Sequence, residues 1–206
     1  MRIKDEFRAD DLETARAIVR AHPFATIVTA GLRATHMPCL LDEAGDGLVV
    51  LGHVARADPA CEQLDGPLLI VFHGPHGYVS GSWYGEETIP TWNHVTLHMR
   101  GTPQILEDPM PVLRRTVDHF EAAVAQPWSL DRLDDRGRGM AEYVFSFRVA
   151  AEAWHAELKL SQDKPPPEQA RVLAGLEHPG PYANPQLAAA MRVARSQPRG
   201  RAVGTG

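Results

Sequence analysis

Three groups of polar side chains in this sequence have the types and spacing to bind a ligand. Arg56 ends the run Gly52-His53-Val54-Ala55-Arg56, and a guanidinium can hold a phosphate through two parallel hydrogen bonds. Thr91-Trp92-Asn93 presents a hydroxyl, a large aromatic surface and an amide on consecutive residues. Lys159, Ser161 and Gln162 add a cation, a hydroxyl and a second amide.

Each of these groups also has a purely structural interpretation. Lys159, Ser161 and Gln162 can lie at a solvated strand end. Arg56 can be a surface arginine paired with Glu62 or Asp58. Trp92, like the pair Trp83-Tyr84, can be an aromatic residue of the core or of a dimer interface. The residue types alone do not separate these alternatives.

A metal site and a nucleophilic site have less support. The spacing His94-x-x-x-His98 places two imidazoles on one face of a helix, but the residues between them indicate a strand. No nearby acid completes a zinc-protease motif. Cys39 and Cys61 form neither a disulfide framework nor a metal quartet, and no serine lies in a nucleophile motif. We therefore assign no metal ligand and no catalytic acid, base or nucleophile.

The elements that must position these groups are mostly strands. Asp10 and Glu13 resemble a capping box, and apolar residues at helical spacing after them predict a helix that ends before Pro23. Helices are also predicted over 109–125 and 168–176. Apolar and β-branched runs predict strands at 24–30, 35–41, 48–54, 67–72, 91–99 and 143–149, with a short helix from Asp58-Pro59.

Many strands with few helices between them predict a mainly β fold with peripheral helices (α+β), built as an antiparallel barrel or sandwich. Gly74, Pro75 and Gly77 predict a break between the strand 67–72 and residues 78–80. We expect one principal domain at 1–176 and a C-terminal extension at 177–206, which is disordered from Gln197. The sequence contains neither a Rossmann nor a P-loop nucleotide motif.

The composition limits the cellular compartment and the binding partners that we expect for this protein. The formal net charge of -5, from 21 Lys and Arg against 26 Asp and Glu, disfavours non-specific binding to nucleic acid. The sequence shows no signal peptide and no apolar run long enough for a membrane span. Two cysteines without a disulfide pattern favour a reducing compartment, so we expect a cytoplasmic protein.

A series of motifs resembles one known family. The order and spacing of the series are similar to those of the PaiB family of FMN-binding proteins. A further element, Lys159-Leu160-Ser161-Gln162, resembles the lysine-leucine-serine-glutamine signature of that family, and the resemblance covers roughly residues 1–176. The motifs are His22-Pro23-Phe24-Ala25-Thr26, Ala34-Thr35-His36-Met37-Pro38, Gly52-His53-Val54-Ala55-Arg56-Ala57, Gly74-Pro75-His76-Gly77-Tyr78-Val79-Ser80, Ser82-Trp83-Tyr84 and Pro90-Thr91-Trp92-Asn93.

The resemblance implies an antiparallel FMN-binding split β-barrel in which two identical subunits build two flavin sites along their interface. It also implies the family's label as a negative transcriptional regulator, although the sequence shows no helix-turn-helix and no basic recognition helix. Three functions stay open: a flavin-dependent oxidoreductase that takes hydride from a nicotinamide cofactor, a non-catalytic regulator or ligand-sensing interaction protein, and a haem-binding split barrel.

The resemblance gives each polar group a role toward FMN. Arg56 becomes the first choice for the phosphate, and Lys159 adds a second charge there. Side chains and backbone amides of the strand around His36 line the flavin ring, and Thr91 and Asn93 meet its polar edges. The full set of expected FMN contacts is Thr35, His36, Met37, His53, Val54, Arg56, Thr91, Trp92, Asn93, Lys159, Ser161 and Gln162.

The sequence also departs from the family pattern. The family usually has proline at Gly81, alanine at Gly77 and tyrosine at His94. It has glycine-lysine where Ala156-Glu157 stand, so that an acid replaces a lysine close to the expected anion site. This replacement lowers the anion affinity expected at that corner of the site.

Overall fold

The computed structural model describes residues 5–196, apart from the side chain of residue 138. The segment from Gln197 onward, for which the sequence predicts a disordered tail, lies outside the described residues. Within the described part of the chain, no helix is long and apolar enough to cross a membrane.

The strands of the described structure form one mostly antiparallel, nine-stranded sheet. In the sheet their order is β1-β9-β6-β5-β2-β3-β4-β8-β7, so β1 and β7 lie at its edges and the sheet is open rather than closed. The strands are Arg8–Ala9 (β1), Phe24–Thr29 (β2), Ala34–Leu41 (β3), Val49–Ala55 (β4), Leu68–Val79 (β5), Thr91–Gly101 (β6), Pro103–Leu106 (β7), Val144–Ala150 (β8) and Ala153–Lys159 (β9).

Five α-helices of residues 5–196 accompany the strands. Short 3-10 helices complete the regular structure at Asp5–Phe7, Pro59–Gln63, Gly81–Trp83, Leu130–Arg132 and Met140–Tyr143. The α-helices are Leu12–Ala21 (α1), Met110–Glu121 (α2), Asp135–Gly139 (α3), Pro166–Glu177 (α4) and Pro185–Ser196 (α5).

The chain divides into two compact units, which are described separately. Of the described residues, unit 1 contains 5–8, 74–95 and 157–196, and unit 2 contains 9–73 and 96–156. Helices α1, α2 and α3 therefore belong to unit 2, and helices α4 and α5 belong to unit 1. Strands β1, β5, β6 and β9 each begin in one unit and end in the other.

The core of unit 2 is tightly packed where β3, β4 and β8 lie side by side. Gly52 of β4 pairs with Cys39 of β3 and with Phe147 of β8, and both of these side chains are fully buried. A Cβ atom on Gly52 would lie 2.7 Å from the Phe147 ring and 3.2 Å from Cys39 Sγ. Glycine therefore allows the phenyl ring and the thiol to pack against the backbone of β4.

Helix α1 packs against β3 and confirms the predicted first helix. Its N-cap is Asp11, whose carboxylate accepts a hydrogen bond from the Thr14 backbone N–H at 2.7 Å. The predicted cap at Asp10 is wrong by one residue, because Asp11 takes the extended backbone that aims its side chain at the first turn. The buried face of α1 consists of Ala15, Ile18 and Val19.

In unit 1, helix α5 explains why one predicted chain break does not occur. Strand β5 continues through Gly74, Pro75 and Gly77 to Val79, so the predicted break is wrong. A Cβ atom on Gly77 would lie 3.0 Å from Asn184 Nδ2 and 3.2 Å from Leu187 Cδ2. The glycine lets the start of α5 pack closely on the strand rather than ending it.

Most of the other predicted elements are confirmed. The strands predicted at 24–30 and 35–41 pair as β2 and β3, with Ala25 opposite Met37 and Thr26 opposite His36. The helices predicted at 109–125 and 168–176 appear as α2 and α4. Three strands were not predicted: β1 has two residues, β7 has four, and β9 contains no β-branched residue.

Replacing Gly52 with alanine is expected to lower the free energy of unfolding by about 1–3 kcal/mol, because the new methyl group overlaps the Phe147 ring. Urea unfolding followed by circular dichroism measures this change. Gly139→Ala is the matched control, since a Cβ atom at Gly139 has no neighbour within 4 Å among the described residues. Equal unfolding free energies for the two variants would contradict tight packing at Gly52.

Candidate functional site

The structure distributes the twelve expected FMN contacts over both units. Thr35, His36, Met37, His53, Val54 and Arg56 belong to unit 2. Thr91, Trp92, Asn93, Lys159, Ser161 and Gln162 belong to unit 1. Each set of six is described within its own unit.

Unit 1 contains a cavity of about 420 Å³, which we call the Asn93 cavity. This volume lies within the range of about 300–1,000 Å³ that is usual for small-molecule sites. Four of the expected contacts line it: Thr91, Asn93, Lys159 and Ser161. The sequence analysis did not assign six further polar lining residues, which are Tyr84, Thr88, His94, Glu157, Asp163 and Lys164.

Asn93 is the most informative residue of the Asn93 cavity. Its side chain is fully buried, and its Nδ2 donates a hydrogen bond to Ser161 Oγ at 2.8 Å. Its carbonyl oxygen, Oδ1, is buried and has no hydrogen-bond partner among the described residues. Because an unsatisfied buried acceptor costs about 1–3 kcal/mol, this oxygen indicates a place for a ligand donor.

A second hydrogen bond lies next to the one between Asn93 and Ser161. Lys159 Nζ donates a hydrogen bond to Thr91 Oγ1 at 2.5 Å. Thr91 and Asn93 are two residues apart on β6 and therefore share a face of the strand, as the alternation of side chains requires. The ammonium group of Lys159 is thereby held on the same wall of the cavity as Asn93.

Ser161 adopts a backbone conformation that is rare for its residue type. Its φ is 61°, in the left-handed region, although the side chain is buried and hydrogen-bonded. Such strain costs about 1–2 kcal/mol in a residue with a Cβ atom, and it is concentrated at functional sites.

Tyr84 adds a neutral phenol to the Asn93 cavity. Burial raises its pKa above the ordinary tyrosine value, and a hydrogen bond that its oxygen accepts from the Ser161 hydroxyl acts in the opposite direction. The ammonium of Lys164 lies 5.7 Å from the centroid of the Tyr84 ring.

Trp92 and Gln162 are expected FMN contacts that do not line the Asn93 cavity and form hydrogen bonds elsewhere in unit 1. Trp92 is 51% exposed, does not line the Asn93 cavity, and donates a hydrogen bond from Nε1 to His76 Nδ1 at 3.3 Å. Gln162 Oε1 accepts a hydrogen bond from the Leu160 backbone N–H at 2.6 Å, and its Nε2 donates to the carbonyl of Glu6 at 3.1 Å. In the described structure, Gln162 therefore stabilises its own turn.

In unit 2, Arg56 is held in a way that leaves part of its guanidinium available. Its Nε donates a hydrogen bond to the carbonyl of Glu142 at 2.5 Å, and the guanidinium carbon lies 3.8 Å from the centroid of the Phe145 ring. Arg56 forms no ion pair with Glu62 or Asp58 in the described residues, where Glu62 instead lies 3.8 Å from Arg33. Its two terminal nitrogens have no hydrogen-bond partner in that same part of the chain.

Other side chains near the C-terminal end of β4 also have partners within unit 2. Thr35 Oγ1 donates a hydrogen bond to Asp58 Oδ2 at 2.6 Å. The Cys61 thiol donates to the carbonyl of Ala55 at 3.0 Å, and burial is the main cause that raises its pKa. His36 is exposed and stacks on Phe24, with ring centroids 6.3 Å apart.

Met37 and Val54, the remaining apolar members of the unit 2 set, are buried. His53 lies directly opposite Ser146 of β8. His53 Nδ1 and Ser146 Oγ are both buried without a hydrogen-bond partner in the described chain, and burial lowers the pKa of His53. The sequence analysis did not identify Ser146, because alternation along β8 placed it among the less apolar positions.

The structure also locates the histidine pair considered as a metal site. His94 and His98 lie on strand β6, as the apolar residues between them indicate. Within residues 5–196, the structure contains no group of three or more His, Cys, Asp or Glu side chains that could hold a metal ion.

Known proteins resemble this chain in sequence. The family model described as "Putative FMN-binding domain" matches residues 1–153. The Bacillus subtilis protein named "Protease synthase and sporulation protein PAI 2" is 29% identical over 190 residues, which cover 86% of this chain and 90% of that protein.

Solved structures share the fold at low sequence identity. The flavocytochrome Anf3 from Azotobacter vinelandii superposes with a TM-score of 0.59 at 16% identity, covering 76% of this chain and 72% of that chain. The FAD and heme binding protein from Mycobacterium smegmatis superposes with a TM-score of 0.52 at 14% identity, covering 79% and 78%. These likenesses confirm the predicted fold class, which is the mainly antiparallel split-barrel type with peripheral helices.

The family match agrees with the motif series read from the sequence. All the motifs from His22 to Asn93 lie within the matched residues 1–153. The match also confirms FMN as the cofactor expected for this family. The chain therefore belongs to the PaiB-like family of FMN-binding proteins.

Proposed function

We propose that this protein is an FMN-dependent oxidoreductase whose Asn93 cavity receives the flavin ring. The observation that carries the proposal is the buried carbonyl of Asn93, which has no partner among the described residues. The relatives support the redox role, since two proteins of the same fold are named a flavocytochrome and an FAD and heme binding protein.

The residues of the Asn93 cavity fit the flavin ring and its sugar-like chain. The ring carries an N–H group and the chain carries hydroxyls, and either can donate the hydrogen bond that Asn93 Oδ1 lacks. Lys159, held by Thr91, offers a cation to the carbonyl edge of the ring. FMN, when bound, supplies the hydride chemistry, and the protein supplies its binding and orientation.

Arg56 is proposed separately, from the contacts of unit 2, as a phosphate ligand. Its Nε is committed to the carbonyl of Glu142, so the terminal nitrogens can form two parallel hydrogen bonds with phosphate oxygens. Packing on Phe145 restricts the guanidinium before any ligand arrives. Thr35, His36, Met37, His53 and Val54 remain proposed contacts of this strand region.

The assembly and the electron source are also proposals. The family resemblance implies a homodimer, and a nicotinamide cofactor is the proposed hydride donor. The free thiols of Cys39 and Cys61 support a cytoplasmic location.

A regulatory role is the second candidate. The Bacillus subtilis relative is named for protease synthase and sporulation, which is the observation that favours it. The net charge of -5 opposes direct DNA binding, so a regulator of this kind would act by sensing the flavin or by contacting a partner protein.

Two substitutions distinguish binding of the ring from binding of the phosphate. Asn93→Leu is expected to weaken FMN and riboflavin by a similar factor of about tenfold, because both carry the ring donor. Arg56→Ala is expected to weaken FMN by about tenfold or more and riboflavin little, because riboflavin lacks the phosphate. Quenching of flavin fluorescence measures each dissociation constant.

Arg33→Ala is the matched control, since Arg33 is another exposed arginine of unit 2 and pairs with Glu62. The control should bind both flavins as the unmodified protein does. Equal losses of FMN and riboflavin in Arg56→Ala would make Arg56 structural, and unchanged binding in Asn93→Leu would remove the Asn93 cavity as the ring site.

The oxidoreductase and regulator proposals are separated by turnover. The FMN-loaded protein is expected to oxidise NADH or NADPH, followed by the loss of absorbance at 340 nm, with a mass in solution twice that of the chain. Gel retardation on DNA at physiological salt is expected to show no sequence-selective complex. Absence of oxidation together with selective retardation would support the regulator instead.

A further inference from the structure

A histidine and a glutamate meet in the wall of the Asn93 cavity. His94 Nε2 lies 3.6 Å from Glu157 Oε1, which is an ion-pair distance and slightly too long for a hydrogen bond. The two side chains are only 23% and 12% exposed. Both residues stand at positions where the sequence departs from the family pattern, and neither belongs to the expected FMN contacts.

The other charges of the cavity balance one another. Lys159 of β9 and Lys164 of the following segment are cations, while Glu157 of β9 and Asp163 of that segment are carboxylates. The net charge of the described lining therefore depends on the protonation of His94.

Tyr84 is the remaining titratable residue that lines the Asn93 cavity. Burial raises its pKa, so the phenol stays neutral between pH 5.5 and 8. Histidine is the side-chain type that changes charge in this range. His94 is the one histidine among the described residues that line the Asn93 cavity.

Covering the cavity with a flat ring changes the surroundings of Glu157. The ring removes water from a carboxylate that is already mostly buried, and an uncompensated buried charge is costly. A protonated His94 at 3.6 Å compensates that charge. An imidazolium carries a second N–H donor, which can serve a carbonyl oxygen of the ring.

We propose that His94 binds the flavin ring in its protonated form, with Glu157 holding the positive charge and the imidazolium donating a hydrogen bond to a ring carbonyl. The inference rests on the proposed function, since it requires the flavin ring in the Asn93 cavity. Its consequence is that ring binding takes up a proton, so that affinity rises as the pH falls.

Riboflavin is the probe that isolates this effect. It lacks the phosphate of FMN, and a phosphate monoester itself titrates near pH 6. The dissociation constant for riboflavin, measured by fluorescence quenching, is expected to fall by about tenfold from pH 8 to pH 6 in the unmodified protein. In His94→Gln the dissociation constant should no longer depend on pH over this range.

Two further variants complete the test. His178→Gln, which changes an exposed histidine of the same unit, should keep the full pH dependence. Glu157→Gln should lose it, because a neutral amide no longer favours the imidazolium. Glu157→Gln also serves as the independent test if His94→Gln fails to fold, as judged by thermal unfolding.

The outcomes separate this inference from the function on which it rests. Riboflavin binding with the same pH dependence in the unmodified protein, His94→Gln and Glu157→Gln would overturn the role of His94 while leaving flavin binding intact. Absence of riboflavin and FMN binding by the folded protein at every pH would overturn both the inference and the proposed function.

Discussion

The hydrogen bond from Asn93 to Ser161 sets the geometry on which the Asn93 cavity depends. It is buried, and it joins β6 to the residues that follow β9. Because the amide nitrogen is committed to Ser161, the amide plane is fixed and the carbonyl oxygen keeps one direction. The parallel contact from Lys159 to Thr91 places a cation two residues away along both segments. Ser161 takes its left-handed backbone to complete this arrangement, and the cost of that strain is offset by a buried polar contact.

The two sets of expected contacts differ in their chemistry. In unit 1 the lining of the Asn93 cavity includes an amide, hydroxyls and charges that balance one another, which suits a ring with alternating donors and acceptors. In unit 2 the distinguishing feature is an arginine fixed through Nε and an aromatic face, with terminal nitrogens that suit an anion. We therefore propose that each set recognises a different kind of chemical group. Asn93 and Arg56 are each fixed by one hydrogen bond to a protein partner, which leaves the carbonyl oxygen of Asn93 and the terminal nitrogens of Arg56 for a ligand.

The sequence predicted those features that follow from local pattern or from a motif. Alternation along β6 is enough to put Thr91 and Asn93 on one face and Trp92 on the other. No local pattern could show that the Gln162 side chain forms hydrogen bonds with nearby backbone groups, or that Ser161 has a positive φ. The contact between His94 and Glu157 joins residues that are far apart in the chain, so only the paired strands reveal it. Ser146 was missed for a similar reason, since its burial depends on the packing around β8.

The position of the cysteines affects how a protein that binds a redox-active flavin withstands oxidation. Reduced flavins pass electrons to oxygen, and the peroxide that results attacks cysteine in its thiolate form. Burial raises the pKa of Cys39 to about 12, and burial also raises that of Cys61, whose proton is held by the carbonyl of Ala55. At neutral pH both residues are therefore protonated thiols, which react slowly with oxidants. The tight packing of Cys39 against Gly52 thus gives the chain resistance to oxidative damage as well as stability.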